Sequence, residues 1–528
     1  MAAVRPTSAD PLAGAVRRLP RRRFLNKVTR AGAVRLPSPG HGSWFDGRLL
    51  GETMLSATLV AATIGAVAAA AYVGMLREAL VVVVTLLAIP VLVKRPLVLL
   101  LAYLLVYTNL FETLPLRDMT AVEFGGFVLT VQNALILLML VVAAVRLQKR
   151  HQRPMFLVFA VLWCAYVAFQ LIYRYILGDT VATQTLLMPL ARTQDLAGWV
   201  LYLLMVALID SRRDLRVFGW FYLGMMVVAV LYQVAEYAHG SRLLLFHVSA
   251  AGDSTSYYVT TQFLDAGGTQ IPYLWSRAVG ANQVGFLLAF AAVIAGRRFL
   301  VWASLTAAGL LGILLTQIRG IYFAVAVGTV AVLVLTRIRT ERVARVLALL
   351  CVIALAVVLV TPVVRSSFGG DPVGAIVKRA SMLSGYSSQQ NWIKRVGDVQ
   401  KAWGGLKESP VVGFGWGGAS GKFVGETGMN VLLTHGLLGT FMILVMYFVV
   451  MFKAVRLARR IRPCLEQAWL FGVVGLLVME LANTPQSDSL TTGGFAVLAA
   501  VFVDRISAFE ADGSLEDTSV GRWEGDQR

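Results

Sequence analysis

The sequence has little cysteine and few charged residues, and each deficit excludes some classes of protein. Its 528 residues include three cysteines; Cys164 and Cys351 lie within apolar runs, and Cys464 follows a basic stretch. This pattern excludes a disulfide framework and offers no metal-ligand spacing, so we expect neither a metal nor another cofactor. Charged residues make up 15% of the chain, against about 25% in an average soluble domain, which excludes an ordinary soluble enzyme.

The chain is instead rich in apolar residues. Hydrophobic residues make up 57% of it, and the mean hydropathy is +0.71. Because one membrane-spanning helix needs about 20 apolar residues, the chain has room for about fourteen such helices. We identify apolar segments at residues 54–76, 79–93, 97–113, 124–145, 154–177, 195–209, 217–238, 281–296, 300–317, 320–336, 345–364, 429–452, 467–483 and 491–503. We therefore predict an all-α fold, a polytopic transmembrane bundle of about 12–14 helices.

The basic residues are concentrated in alternate loops. Lys and Arg number 48 against 29 Asp and Glu, a formal net charge of +19. The basic loops contain Lys94 and Arg95, Arg146 to Arg153, Arg212 to Arg216, Arg297 and Arg298, Arg337 to Arg345, and Lys453 to Arg462. By the positive-inside rule, these loops and both termini are cytoplasmic. Topology therefore accounts for the charge, and we expect no nucleic-acid partner.

The chain divides into three parts. Residues 1–50 are rich in Arg, Pro, Gly and Ser without an apolar run, which predicts a disordered basic cytoplasmic tail. Residues 51–503 form the predicted transmembrane domain, and residues 504–528 form an acidic cytoplasmic tail. We assign the protein to the plasma membrane, and its alanine-, valine- and arginine-rich composition suggests a bacterial genome.

Two loops, at residues 239–280 and 365–428, are long and predicted to be extracytoplasmic. Long loops in a compact domain are more often functional than idle. The second is net basic, against the orientation rule, which suggests an anionic substrate. Residues 390–407 also have the character of an amphipathic helix that lies on lipid headgroups. Binding of an anionic substrate and contact with lipid headgroups are compatible roles for this loop.

Three arginines are predicted at the outer membrane boundary. Arg277 precedes a helix, Arg319 lies in a tight turn between two helices, and Arg395 lies in the large loop. An arginine at this depth is costly unless an anion or carboxylate meets it, and guanidinium groups match phosphate oxygens. A cluster of them suits a lipid diphosphate. For Arg319 alone, snorkelling to lipid headgroups is the alternative.

Residues 409–418 form a glycine-rich stretch, Ser-Pro-Val-Val-Gly-Phe-Gly-Trp-Gly-Gly. Glycine permits positive φ and close backbone approach, so successive amides could form an anion-binding concavity. Plain turn chemistry explains the stretch equally well.

In this region the chain resembles the O-antigen ligase/polymerase family of bacterial membrane glycosyltransferases. The resemblance covers about residues 275–445 and depends on the order of its motifs. These are Arg277-x-x-Gly280-x-Asn282, then Gln317-Ile318-Arg319-Gly320, then Arg395, then Pro410-Val411-Val412-Gly413-Phe414-Gly415, and finally Gly436-Leu437-Leu438-Gly439.

The resemblance implies transfer of a glycan from a polyprenyl-diphosphate carrier to a hydroxyl at the extracytoplasmic face. Arg277, Arg319 and Arg395 would stabilise the departing diphosphate without a metal. The implied partners are the polyprenyl-diphosphate-linked glycan, membrane lipid and other envelope polysaccharide-assembly proteins. If the acceptor is a second lipid-linked glycan, the enzyme is a polymerase; if it is a lipid or a protein, the enzyme is a ligase.

A base must accept the proton of the attacking hydroxyl. The family's His-Asn or Asp-Asn pair is replaced here by Gly425-Glu426-Thr427-Gly428-Met429-Asn430. We predict Glu426 first and His435 second as the catalytic residue. The alternatives are that Glu426 caps the following helix and that His435 is a packing residue.

Two other functions fit parts of the sequence. A flippase of lipid-linked glycans would also need many helices and a basic cavity, but transporters tend to show internal repeats, and no convincing repeat relates the two halves. A non-catalytic scaffold would account for the basic tail and leave the outer loop unexplained.

Overall fold

The protein is described by a computed structural model that covers most of its apolar segments. The described residues are 94–108, 120–124, 127–147, 153–177, 194–239, 262–265, 270–273, 278–296, 298–315, 319–336, 344–346, 348, 349, 351, 390–415, 429–483 and 494–513. They all belong to one unit, Thr63–Arg528, and the other unit, Met1–Ala62, lies outside them. The predicted tail of residues 1–50 and the segments 54–76 and 79–93 therefore lie outside the described residues.

The described chain is predominantly helical, as predicted. Its helices are α1 (Pro96–Thr108), α2 (Val131–Leu147), α3 (Leu157–Ile176), α4 (Gln194–Leu208), α5 (Arg212–His239), α6 (Ala278–Ala295), α7 (Phe299–Leu315), α8 (Arg319–Leu335), α9 (Gln390–Glu408), α10 (Met429–Arg460), α11 (Leu465–Asn483) and α12 (Gly494–Ala511). They lie within a few residues of most predicted segments, because continuous apolar runs of this length form buried helices. The amphipathic segment at residues 390–407 is confirmed as helix α9.

Two short hairpins depart from the all-α prediction. Strands β1 (Thr120–Phe124) and β2 (Phe127–Thr130) pair antiparallel, and so do β3 (Gln262–Asp265) and β4 (Gln270–Tyr273). The predicted helix at residues 124–145 therefore begins only at Val131. Threonine, valine and phenylalanine favour strands, and the two glycines between β1 and β2 in the sequence are common hairpin-turn residues.

Four helices in the described chain are long and apolar enough to cross a membrane. They are Leu157–Ile176, Arg212–Val234, Met429–Arg460 and Leu465–Asn483. Shorter apolar helices of 10–17 residues occur at Pro96–Val106, Gln132–Ala144, Gly198–Leu208, Gly280–Ala295, Phe299–Leu315 and Gly320–Leu335. The lengths and compositions indicate a membrane-associated protein.

The core lies where α5, α6, α11 and α12 meet. Helix α11 packs against α6, α8 and α10, and α12 packs against α4 and α11. Trp469 of α11 is fully buried and meets Phe502 of α12 edge to face, with ring centroids 5.8 Å apart, and Phe502 also lies 5.6 Å from Phe218 of α5. Aromatic pairs of this kind add to the stability given by burial alone.

Ion pairs join several helix ends that are rich in basic residues and are predicted to lie on the cytoplasmic side of the membrane. Glu466, at the start of α11, is fully buried and accepts hydrogen bonds from Arg212 Nε at 2.8 Å and Arg216 Nε at 2.7 Å. Arg146, near the end of α2, pairs with Asp210 just after α4. These pairs link helix ends that the charge pattern assigned to the cytoplasmic side.

The predicted boundary between the membrane domain and the acidic tail falls inside α12. Asp504 is not solvated as the tail prediction required; it is 5% exposed and accepts hydrogen bonds from the Tyr202 hydroxyl at 2.6 Å and from the amide of Met155. The helix continues to Ala511 because its buried face, which includes Ile506 and Phe509, continues past the first acid.

Candidate functional site

Helix α10 is broken at Gly436. Its φ of 60° and ψ of −170° interrupt an otherwise helical run of 32 residues. Only glycine occupies this region of backbone space readily. The break divides α10 into a short segment, residues 429–435, and a long one, residues 437–460, and it removes the regular helical hydrogen bonds around residue 436.

The glycine-rich stretch supplies the missing backbone partners. The amide of Leu437 donates to the carbonyl of Pro410 at 2.9 Å, and the amide of Leu438 donates to Val411 at 3.1 Å. In the other direction, the amide of Phe414 donates to Leu433 at 2.7 Å. The predicted motifs 410–415 and 436–439 therefore meet and cap the two helix ends of the break.

This contact requires glycine on both sides. Gly413 has a φ of 72°, and a Cβ at that position would lie 2.6 Å from the Thr434 carbonyl oxygen. A Cβ on Gly436 would lie 2.6 Å from the amide nitrogen of Gly413. The two backbones approach so closely that any side chain there would displace one of them.

Two polar side chains of α3 complete the hydrogen bonding at the break. Gln170 donates from Nε2 to the carbonyls of Thr434, at 2.6 Å, and Val412. The Tyr166 hydroxyl lies within hydrogen-bond reach of the carbonyls of His435 and, at 3.1 Å, Val412. It has one proton and donates to one of them at a time. Carbonyls released by a broken helix are thus satisfied by protein, as an apolar environment requires.

Arg174, one turn beyond Gln170, holds the glycine-rich stretch. Its guanidinium donates to the Gly413 carbonyl from Nη2 at 2.6 Å and from Nε at 3.2 Å. The guanidinium carbon also lies 4.5 Å from the centroid of the Phe414 ring, a cation–π distance. A positive charge is therefore fixed against the stretch that the sequence suggested as an anion-binding loop.

The sequence reasoning missed these three α3 residues. Tyr166, Gln170 and Arg174 are spaced four residues apart within an apolar segment, so they lie along one helix face. That periodicity of polar residues in a candidate span is a visible pattern, and it could have identified the face.

His435 is buried next to the break. It is 0% exposed, and its ring centroid lies 5.2 Å from that of Trp163 on α3. A Cβ on Gly439 would collide with the ring of Tyr166 and the Cβ of His435, so helix α3 packs tightly here. The structure thus places one predicted base candidate beside the two glycine motifs.

Of the other predicted site residues, the structure describes Arg319 and Arg395. Arg319, predicted in a tight turn between two helices, is the first residue of α8, and Arg395 lies within α9. Helix α9 packs on the break through Ala402, Leu406, Phe414 and Leu433, a small buried cluster. Arg277 and Glu426 lie outside the described residues.

Asn282 of the first motif links two helices. It is 0% exposed and donates from Nδ2 to Gln233 Oε1 of α5 at 2.9 Å. A Cβ on Gly312 of α7 would lie 2.5 Å from this Asn282 nitrogen. The motif asparagine therefore joins α5, α6 and α7 within the first two turns of α6.

The described residues place no group of three or more His, Cys, Asp or Glu side chains close enough to hold a metal ion. Comparison with protein-family models and with curated proteins gives no match to this chain.

Proposed function

We propose that the protein is a membrane glycosyltransferase of the O-antigen ligase/polymerase type, which polymerises or ligates glycan from a polyprenyl-diphosphate carrier. One observation supports this above the others. The glycine motifs 410–415 and 436–439, which carry part of the family resemblance and stand far apart from Arg174 in sequence, meet beside its guanidinium.

The proposal includes a membrane topology. The protein is a multi-pass protein of the bacterial inner membrane with both termini in the cytoplasm, and the loops at 239–280 and 365–428 lie on the extracytoplasmic face. The ion pairs between basic helix ends support a common cytoplasmic side, since they join α2 to the end of α4 and α5 to α11.

The proposed chemistry is electrostatic. The leaving lipid diphosphate gains negative charge as the glycosidic bond breaks, and Arg277, Arg319 and Arg395 stabilise it with fixed positive charge. The acceptor hydroxyl attacks the anomeric carbon and gives its proton to a base. Glu426 is the first candidate, because it lies three residues before the start of α10 in sequence. His435 is the second, although its burial requires the acceptor to reach the interior face of α10.

A flippase of lipid-linked glycans is the second candidate. A broken helix is typical of transporters, which build their binding sites from interrupted spans, and α10 has such a break at Gly436.

Product analysis distinguishes these functions. The purified protein is placed in proteoliposomes with a lipid-linked oligosaccharide, and the products are separated by chain length. Longer glycan chains support a polymerase, and transfer to a second acceptor supports a ligase. Movement of the lipid between leaflets without a new glycosidic bond would contradict the transferase proposal and favour the flippase.

A further inference from the structure

Within the described part of the chain, no carboxylate neutralises the charge of Arg174. Its contacts among the described residues are the neutral carbonyl of Gly413 and the face of the Phe414 ring, and no described carboxylate forms an ion pair with it. A half-buried guanidinium in this position is costly unless an anion approaches it. The carbonyl engages Nε and Nη2, which leaves the N–H groups of Nη1 for another acceptor.

An apolar stripe begins beside this charge. On α10, the exposed side chains follow one another at helical spacing from the break onward: Leu437, Leu438, Phe441, Val445, Phe448, Val449 and Phe452. Phe441 is 64% exposed among the described residues. The stripe runs from residue 437 to residue 452, about 22 Å at the rise of an α-helix. We call it the α10 stripe.

The charge and the stripe are joined through the break. Arg174 binds the carbonyl of Gly413, whose backbone contacts Gly436, and the first residue of the α10 stripe is Leu437. A fixed positive charge therefore lies at one end of an exposed apolar surface. An amphiphile with an anionic head and a long hydrocarbon tail has the complementary shape and charge.

We propose that Arg174 binds the phosphate headgroup of a membrane lipid and that the hydrocarbon tail of this lipid lies along the α10 stripe. The inference rests on the proposed function in one respect, that the headgroup is the diphosphate of the glycan donor. Because Arg174 also holds the Gly413 carbonyl, it couples the bound headgroup to the glycine-rich stretch.

The test measures lipid binding without the reaction. The full-length protein in phosphatidylcholine nanodiscs is titrated with geranylgeranyl diphosphate, and affinities are compared for the wild type, Arg174→Gln, Arg174→Lys and the control Arg460→Gln. We expect Arg174→Gln to weaken binding roughly tenfold or more, because a charge-assisted hydrogen bond is lost. Arg174→Lys should retain part of the affinity, and Arg460→Gln should match the wild type, since the Arg460 side chain is 72% exposed.

Two further measurements distinguish a direct role of Arg174 in lipid binding from a purely structural role. Binding of the uncharged geranylgeraniol should be unchanged by Arg174→Gln, and the salt dependence of diphosphate binding should become shallower, because one positive charge is lost. Phe441→Ala should weaken binding of geranylgeranyl diphosphate and leave binding of inorganic diphosphate unchanged. Unchanged diphosphate affinity in Arg174→Gln, or an equal loss for geranylgeraniol, would overturn the proposal.

The source of the phosphate is tested by competition. If phosphatidylglycerol in the nanodisc displaces geranylgeranyl diphosphate at equal concentration, the assignment to the diphosphate donor is overturned. The experiments distinguish failure of one proposal from failure of the other. If binding depends on Arg174 but no glycan is transferred, the transferase function alone is overturned. If glycan is transferred but binding does not depend on Arg174, the lipid-binding role of Arg174 alone is overturned.

Discussion

The side-chain amide of Gln170 donates a 2.6 Å hydrogen bond to the carbonyl oxygen of Thr434, across 264 residues of sequence. Thr434 lies two residues before the break in α10, where the carbonyl no longer has its regular helical partner. A side chain on α3 thus takes the role that a backbone amide has in an unbroken helix. The break is a stable feature because a neighbouring helix carries donors for it.

Replacing Gln170 by leucine should destabilise the protein by about 1–3 kcal/mol, because a buried carbonyl loses its donor. The measurement is the thermal unfolding midpoint in detergent. Phe169→Leu is the matched control, since Phe169 is the adjacent residue on α3 and is 52% exposed. Equal midpoints for the two variants would show that the hydrogen bond does not stabilise the break.

Gly436→Ala should destabilise the protein strongly. The backbone conformation is disfavoured for alanine by about 1–3 kcal/mol, and the added Cβ would also collide with the backbone of Gly413. Unfolding midpoints check the effect. Gly404→Ala in α9 is the control; a Cβ there meets nothing within 4 Å, so it should be neutral or stabilise the helix by up to about 1 kcal/mol.

Glu466→Gln should cost about 3 kcal/mol, because the buried carboxylate neutralises Arg212, whose side chain is 13% exposed. The matched control is Glu510→Gln, which removes a partner of the exposed Arg460 and should cost about 1 kcal/mol or less. Chemical unfolding of both variants gives the comparison. A smaller loss for Glu466→Gln than for Glu510→Gln would contradict the assigned role of the buried pair.

Arg277→Ala and Arg319→Ala should each reduce glycan transfer in proteoliposomes by roughly 10²–10³-fold, the usual cost of removing one fixed electrostatic group from an active site. Arg460→Ala, at a helix end assigned to the other side of the membrane, should leave transfer unchanged. Folding is monitored by the unfolding midpoint. Full activity in both Arg277→Ala and Arg319→Ala would refute the diphosphate role of these arginines.

Adding EDTA should leave glycan transfer unchanged, because arginine side chains supply the positive charge in the proposed mechanism. The assay is the same proteoliposome reaction with and without the chelator. Strong inhibition that a divalent cation reverses would favour a metal-dependent mechanism instead.

Many of the described helices could be predicted from the sequence to within a few residues, although α10 and α12 each end eight residues after the predicted segment. Segments 300–317 and 320–336 became Phe299–Leu315 and Arg319–Leu335, because an uninterrupted apolar run forms the same helix in almost any packing. The hairpin at residues 120–130 was missed, since phenylalanine, valine and leucine are common in both strands and apolar helices.

The candidate site was predicted only as separate motifs. Sequence order indicated the glycine stretch at 410–415 and the element at 436–439, and the structure brings them together at one break. The roles of Gln170 and Arg174 were not predicted, because a donor for a free carbonyl can come from any helix that packs nearby.

The sequence alone determined where most of the apolar helices lie and where the basic residues cluster, since these depend on local composition. The tertiary structure decided that α10 breaks at Gly436 and that α3 closes the break through Tyr166, Gln170 and Arg174. The physical reason is that a helix break is stable only when its freed backbone groups find partners. One partner, Gln170 on α3, is separated from Thr434 by 264 residues of chain, so local sequence cannot reveal it.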